Sequence, residues 1–526
     1  MKRRSSGIAA AALVATACCH AADLYRVSGV VVDAETGAPH PRARLAVMPT
    51  GTPVVVARQI AGADGLFSFD LPQGKYDLRS GDSDDPQVYG RKTSALGLGS
   101  SLIVGPGQDN SKLVFRWIPR GAISGRIVDE AGEPVESALI QLVRSHIVSG
   151  RRVTVTAAWR RSEDRGEYRF GLVPGSTYYL AVTGTPWYAE EPLGFQVATP
   201  PFAYATVYYP NSSEPAGAAP LVLKPGAEVR ADFTLRTVPG ATVTVELESP
   251  QPITGNLGLV ADGIGASDGF ERQERFTGGR QRLEAVPPGH YQVRLAGTSG
   301  ETSVGAKSTI DVNGSGVAVK LSPKPYPSVG GTVRLKNPGA KPKGSILASL
   351  VSEEGGGALS TAVRADGAFS FPSVLPGKYR LAIRGKDGYF ASDVHVDGAP
   401  YVNGVLELTE GQAVTVRMVA SDETGRVGGF AMSGEQPVMG AFAVLAPAVE
   451  TGDWQAYHCF QTDSDGSYDF QNIPAGDYLL FAVEDLIEYA NPKAVEPYLS
   501  SAKPLRVEPH GSYSERIPVV NLAGGR

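Results

Sequence analysis

The stretch Asp366-Gly-Ala-Phe-Ser-Phe-Pro-Ser-Val-Leu-Pro-Gly-Lys-Tyr-Arg-Leu381 decides the fold, because copies of it recur along nearly the whole chain. Asp366-Gly367 is a turn signal, and Phe369 and Phe371 alternate onto one face of a strand. Pro376-Gly377 turns the chain again, and Tyr379 and Leu381 alternate in the strand that follows, so the stretch predicts a β-hairpin. The other copies are Asp64–Leu78, Arg165–Tyr178, Gly279–Val293 and Asp465–Leu479, with turn glycines Gly74, Gly175, Gly289, Gly377 and Gly476. Those glycines are 101, 114, 88 and 99 residues apart. Solenoid repeats run ~20–50 residues, whereas a small sandwich domain takes ~100. Five separately folded β-domains are expected.

Composition agrees. A chain of 526 residues exceeds what one core supports, since cores stop growing near about 250–300 residues. Gly (63) and Pro (39) are both abundant while 42% of residues are hydrophobic, a balance that suits short strands joined by many turns rather than disorder. The formal net charge of −5 provides no field to draw the protein onto nucleic acid or an anionic membrane, so no nucleic-acid partner is expected.

Lys2-Arg3-Arg4 followed by the apolar run Ile8–Ala17 and small residues to Ala22 reads as a secretory signal peptide, residues 1–22. That run is too short to span a bilayer and nothing later reaches ~18 apolar residues, so no integral membrane span is expected. Cleavage after Ala21 or Ala22 is the first choice. A lipid anchor at Cys18 is the weaker alternative, because Ala15 stands where Leu usually precedes a lipoprotein cysteine. The mature chain is expected outside the cytoplasm: secreted, periplasmic or on the cell surface. Cys18 and Cys19 leave with the signal, which leaves Cys459 without an intramolecular partner and each domain dependent on core burial alone.

The first domain opens with Val27-Ser-Gly-Val-Val-Val-Asp33, Gly37-Ala-Pro39 and Ala43–Val47, and the second repeats this as Ile123-Ser-Gly-Arg-Ile-Val-Asp129, Gly132-Glu-Pro134 and Ala138–Leu142. This opening, followed by Asp-Gly-x-Phe-x-Phe and Leu-Pro-x-Gly-x-Tyr, resembles the carboxypeptidase regulatory-like domain, a transthyretin-like β-sandwich, and is similar to Cna B-type and starch-binding-like (carbohydrate-binding-like) sandwiches. The resemblance is weak in the third domain, where Leu283 replaces the second aromatic and Gly278-Gly279 replaces Asp-Gly. It implies an all-β chain, a tandem array of five transthyretin-like antiparallel β-sandwiches, in a bacterial extracytoplasmic protein. The expected boundaries are 23–119, 120–238 (with an aromatic-rich insertion), 239–326, 327–421 and 422–526. Pro119, Pro239, Pro323, Pro325 and Pro327 fall between domains and stiffen the linkers, which predicts a semi-rigid rod. Asp485–Leu499 is the helix candidate, limited to single turns by Pro492 and Pro497.

Chemistry is faint. His40, His146, His290, His395, His458 and His510 show no His-Glu-x-x-His or His-x-x-Glu spacing, so no zinc site and no cofactor are expected, and the regulatory domain of the resemblance is not the catalytic one. Gly265-Ala-Ser-Asp-Gly269 matches a nucleophile elbow around Ser267, but that elbow needs a strand-to-helix turn of an α/β sheet. Gln461-Thr-Asp-Ser-Asp-Gly466 looks like a calcium loop with Gln461 at the first ligand position and Asn472 in place of the bidentate Glu; Asp82-Ser-Asp-Asp85 is a second acidic loop. No copy is followed by the Tyr-x-Leu-x-Glu pattern of isopeptide-bonded Cna B-type relatives. Catalytic and metal residues are therefore assigned to none.

The insertion Thr185–Pro210 is the anomaly, with seven aromatics in 26 residues. Aromatic faces stack on sugar rings, and loops at the end of a sandwich collect binding residues. Trp187, Tyr188, Phe202, Tyr204, Tyr208 and Tyr209, with Glu190 and Glu191 to hydrogen-bond hydroxyls, are the candidate ligand-binding residues; the competing reading packs these rings into a satellite core under the long loop or against the next domain. Arg144, Arg151, Arg152, Arg160 and Arg161 read as a solvated face. Phe369, Phe371, Pro376, Gly377 and Tyr379 are the structural hairpin residues. The resulting expectation is a non-catalytic, extracytoplasmic binding protein, with polysaccharide, glycan or another envelope protein as partner. The alternatives are a structural or adhesive rod or spacer at the cell surface, and an accessory part of an envelope hydrolase or uptake system.

Overall fold

The computed structural model describes residues 23–80, 87–92, 99–172, 174–186, 202–261, 263–264, 271–340, 342, 344–354, 357–385 and 388–521. Strands dominate it, in five successive units spanning 24–117, 121–234, 241–321, 328–421 and 424–520. Each of the first four packs a smaller sheet of three or four strands against a larger one. In the fifth, the closing strand Ser512–Val520 pairs with both Thr424–Ser433 and Gly476–Val483, so one sheet of eight strands folds over on itself. Every unit buries its own apolar cluster, for example Val31, Leu78 and Phe115 in the first and Val329, Leu350, Phe369 and Val416 in the fourth. The protein is therefore all-β, a tandem array of β-sandwiches, with one short α-helix and two 3-10 turns among the described residues.

The repeated stretch is not a hairpin. Ala368–Phe371 pairs with Ser328–Leu335 in the smaller sheet of the fourth unit, whereas Gly377–Arg384 pairs with Leu347–Ser352 and Val405–Leu408 in the larger one. The two strands lie in different sheets, and Phe369 and Phe371 meet Tyr379 and Leu381 across the core that both sheets enclose. The copies of the first three units cross in the same way, as with Leu66–Pro72 and Gly74–Ser80, and in the fifth Ser467–Pro474 and Gly476–Val483 pair with Thr424–Ser433 and Phe442–Pro447 in different parts of the folded-over sheet. Turn residues and alternation are common to a hairpin and to this arch; only the partner strands, far away in sequence, separate them.

The arch has its own lock. The hydroxyls of Tyr76, Tyr291, Tyr379 and Tyr478 donate to the carbonyls of Pro72, Pro287, Leu375 and Pro474, four residues earlier, at 3.0, 2.9, 2.8 and 2.9 Å. The ring folds back over the glycine two residues before it: a Cβ on Gly74 would stand 3.1 Å from the Tyr76 ring. Gly-x-Tyr is thus one device, a hydrogen bond over a bare backbone. Tyr379→Phe should cost about 1 kcal/mol, one hydrogen bond's net worth. The loss should appear in calorimetry as a lower melting temperature for the fourth unit alone.

The Ser-Gly of the first two opening strands and the Gly-Gly of the fourth and fifth have a similar cause. In each unit the first strand runs parallel to the last, and in the fifth the last strand also runs parallel to Gly476–Val483; the other pairings among the described strands are antiparallel. A Cβ on Gly29, Gly125, Gly331 or Gly429 would lie 2.1, 1.8, 1.8 or 1.8 Å from the backbone oxygen of Leu113, Ala231, Val416 or Glu515 in that closing strand. The third unit has no glycine in its first strand, Ala241–Leu247, consistent with its weak match to the repeat.

Two expectations need correction. Two of the linker prolines, Pro239 and Pro325, end edge strands of the preceding unit, where a missing N–H is tolerated: Thr237–Pro239 pairs with Phe202–Tyr208, and Lys324–Pro325 with Thr302–Val312. They do not produce a rod, because the fifth unit touches the first, second and fourth, as described below. The helix is Pro492–Leu499, two continuous turns rather than single ones. Pro492 occupies its first position, where no N–H is needed, and the Asn491 side chain caps it by accepting from Lys493 N at 3.2 Å. Tyr498 then stacks on Phe481 at 5.7 Å, covering the outer face of the fifth unit's sheet.

Candidate functional site

Of the insertion residues, Trp187, Tyr188, Glu190 and Glu191 lie outside the described residues. Phe202 is exposed at the start of strand Phe202–Tyr208. Tyr204 and Tyr208 are 2% and 3% exposed and offer no face to a ligand. Tyr204 belongs to the second unit's core, and Tyr208 packs with Val143, Ala181 and Ile264 where the second unit meets the third. Their strand sits between Thr177–Gly184 and Thr237–Pro239, which buries alternate rings. Tyr209 is half-buried, its ring edge-on to Phe233 at 6.1 Å. Ser267 and the Asp82–Asp85 loop also lie outside the described residues.

Of the arginines of the second unit, Arg152, Arg160 and Arg161 are exposed, as expected of a solvated face, whereas Arg144 and Arg151 are half-buried, and Arg151 and Arg152 also reach other units. Arg151 pairs with Glu353 of the fourth unit, Arg152 Nε donates to Glu488 of the fifth at 2.8 Å, and the Arg160 guanidinium sits over the Phe170 ring at 5.7 Å. Arg144 Nε donates to Ser176 Oγ at 2.9 Å, and Arg161 to the Ser137 carbonyl at 2.9 Å. The hairpin Leu139–Val148 and Arg151–Arg161 carries two of these side chains to its neighbours. Its turn, Ser149-Gly150, has φ of 48° and 76°, and the Gly150 carbonyl accepts from Ala490 N at 3.0 Å. A Cβ on Gly150 would stand 2.6 Å from that nitrogen, so glycine is needed for both the turn and the contact.

Glu353 is the centre of this junction. Its carboxylate takes Arg151, Arg380 and the indole Nε1–H of Trp454, the last at 3.1 Å. Arg380, whose side chain is 6% exposed, also pairs with Asp453 Oδ1 at 3.2 Å and donates to the carbonyls of Gly452 at 2.8 Å and Asn403 at 3.2 Å. The Arg151 guanidinium stacks over the Trp454 ring at 4.1 Å, which joins three units in one network.

A second contact holds the first unit to the fifth. Lys75 Nζ donates to Asp463 Oδ2 at 2.6 Å, Ser100 Oγ to the Thr462 carbonyl at 2.8 Å, Ile103 N to Ser464 Oγ at 2.9 Å and Ser464 N to the Ser101 carbonyl at 2.9 Å. Burial pushes the Asp463 carboxyl above the usual range, and the Lys75 ammonium pulls it back. The stretch that looks like a calcium loop therefore receives a lysine of another unit, and Asp465 Oδ1 caps its turn by accepting from Ser467 N at 3.0 Å. Among the described residues no group of three or more His, Cys, Asp or Glu is placed to hold a metal. No described helix is long and apolar enough to cross a membrane.

Between the second, fourth and fifth units lies a cleft of about 600 Å³. Trp454, Tyr457, Phe470 and Tyr489 supply aromatic walls, and Ser149, Arg384 and Gln455 contribute polar side chains from the three units. His458 and Cys459 lie in the same wall. Burial holds the His458 imidazole neutral, its pKa pushed down to about 4, and pushes the Cys459 thiol up to about 12. Near neutral pH the imidazole is therefore uncharged and the thiol protonated. The sequence reading missed Glu353, Arg380 and Trp454; the one local hint was a lone Trp in the polar connection Thr451-Gly-Asp-Trp454.

No known family model matches the sequence, and none of the curated proteins matches it. Solved structures give distant matches only. The Bacillus anthracis TIE protein is 12% identical over 76% of this chain and 74% of its own, at a TM-score of 0.16. The minor pilin GBS52 of Streptococcus agalactiae is 14% identical over 41% and 97%, at 0.22, and the major pilin subunit BcpA of Bacillus cereus 12% identical over 58% and 99%, at 0.15. Superpositions this loose bear on neither the fold nor the function, which rest on the sheets and contacts above.

Proposed function

We propose that this chain is an exported, non-catalytic structural and adhesive protein of the bacterial cell surface, built from carboxypeptidase regulatory-like sandwiches that fold back onto the last of them. The observation that carries this reading is the junction itself. Glu353, Arg380, Arg151 and Asp463, the buried or half-buried charges that would serve chemistry in a cleft, are all engaged in holding one unit to another. Such contacts give a body of defined shape, with loops and clefts of several units presented side by side. The regulatory-like assignment rests on the repeated opening-strand glycine and the Gly-x-Tyr device, export on residues 1–22.

The test is made on the producing cell. The mature N-terminus should begin near Ala22 or Asp23, in the envelope or medium. Deleting the chain should weaken attachment of cells to a surface or to one another while extracellular hydrolase activities stay unchanged. An unprocessed cytoplasmic chain, or undiminished attachment in the deletion strain, would sink the proposal.

A further inference from the structure

We infer that the cleft between the second, fourth and fifth units binds an acidic carbohydrate, a hydroxylated ring bearing a carboxylate. This inference names a ligand for the adhesive reading above and rests on it. A volume of about 600 Å³ suits a short oligosaccharide. Its walls combine the two things a sugar requires. Trp454, whose other face lies under the Arg151 guanidinium, and Tyr489 are half-buried and provide ring surface for the apolar faces of a pyranose, with the buried Tyr457 behind them. The Ser149 hydroxyl and Gln455 amide each donate and accept, as sugar hydroxyls do, and neither has a hydrogen-bond partner among the described residues.

The charge balance sets the sign of the ligand. Asp469, in the cleft wall, is neutralised by Arg426 at 2.6 Å and accepts from the Gln471 amide at 2.8 Å. Arg151 is matched by Glu353. His458 is uncharged at neutral pH because burial disfavours its cationic form. Arg384 remains, an exposed guanidinium on the rim that makes no ion pair among the described residues. One unmatched cation beside hydroxyl- and amide-bearing walls selects a carboxylate on a polyol over a neutral sugar, and a forked guanidinium suits a carboxylate best. Because Ser149, Arg384 and Gln455 come from three units, the site is complete only while the Glu353 network holds them together.

The probes are tetragalacturonate, its full methyl ester and acetate, titrated into the mature protein by calorimetry and tryptophan fluorescence. Tetragalacturonate should bind with a Kd of about 10 μM to 1 mM, a range set by a few stacking and polar contacts. The ester should bind about tenfold more weakly, the worth of one charged hydrogen bond. Acetate should not compete at equal concentration. Arg384→Gln should keep the melting temperature and bind acid and ester alike, and Glu353→Gln should weaken both by dispersing the walls. No saturable binding up to about 10 mM, competition by acetate alone, or an Arg384→Gln variant that still prefers the acid would each overturn the inference. Attachment and processing would be untouched by such a failure, which separates it from failure of the adhesive reading.

Discussion

Gly331→Ala is expected to unfold the fourth unit at temperatures where the other four remain folded. The new Cβ would stand 1.8 Å from the Val416 carbonyl oxygen, 2.7 Å from its carbon and 3.0 Å from its nitrogen. All three are backbone atoms of a strand paired in parallel with this one from Ser328↔Ala413 to Leu335↔Ala420. No side-chain rotation relieves that contact; the closing strand must move and break its ladder. Overpacking of this kind should cost about 3 kcal/mol or more, a large share of the ~5–15 kcal/mol that holds a domain. Gly330→Ala is the control, since its Cβ has only the Phe369 oxygen nearby, at 3.8 Å. Calorimetry with limited proteolysis should show early loss of the fourth unit in the first variant and little change in the second; equal stability of the two would mean that the parallel strand is not where it is placed.

Glu353→Gln should release the fifth unit from the second and fourth. The amide keeps the shape of the side chain but supplies one acceptor oxygen and no charge to two guanidinium groups and an indole N–H. Arg380 keeps Asp453, yet at 6% exposure it loses the closer of its two anions. Breaking a buried pair costs ~3–5 kcal/mol, and the partial exposure of Arg151 and Asp453 brings the expected loss to about 2–3 kcal/mol. The loss should fall on the junction and leave the cores intact. Hydrogen exchange should rise in 450–457 and in the Ser149-Gly150 turn, while the strands of each core keep their protection. Unchanged exchange at the junction would show that Glu353 holds nothing together.

These cases mark what could be read from the residues. Alternation of Phe369 with Phe371 and of Tyr379 with Leu381 shows which side chains are buried, and all four are. It does not show which sheet each strand joins, so the arch was expected as a hairpin. The Ser-Gly openings read correctly as strands, but the need for glycine lies in a closing strand such as the one through Leu113, which no local pattern reveals. Proline linkers disclose stiffness without direction, and direction decides between a rod and a folded-back body. The junction was the least legible part. Arg151 and Arg152 look like surface charges because their partners, Glu353 and Glu488, lie 202 and 336 residues away. Tyr204 and Tyr208 look like ligand platforms because an aromatic-rich strand has the same composition whether its rings face a sugar or a neighbouring unit.

The five units fold back so that the last contacts the first, second and fourth. Small-angle X-ray scattering of residues 23–526 tests this. A folded-back array should give a radius of gyration of about 30 Å, somewhat above the compact-domain scaling for its length, and a short maximum dimension. Glu353→Gln combined with Asp463→Asn should enlarge both values. A wild-type radius of about 50 Å or more, the value for five sandwiches end to end, would contradict the account.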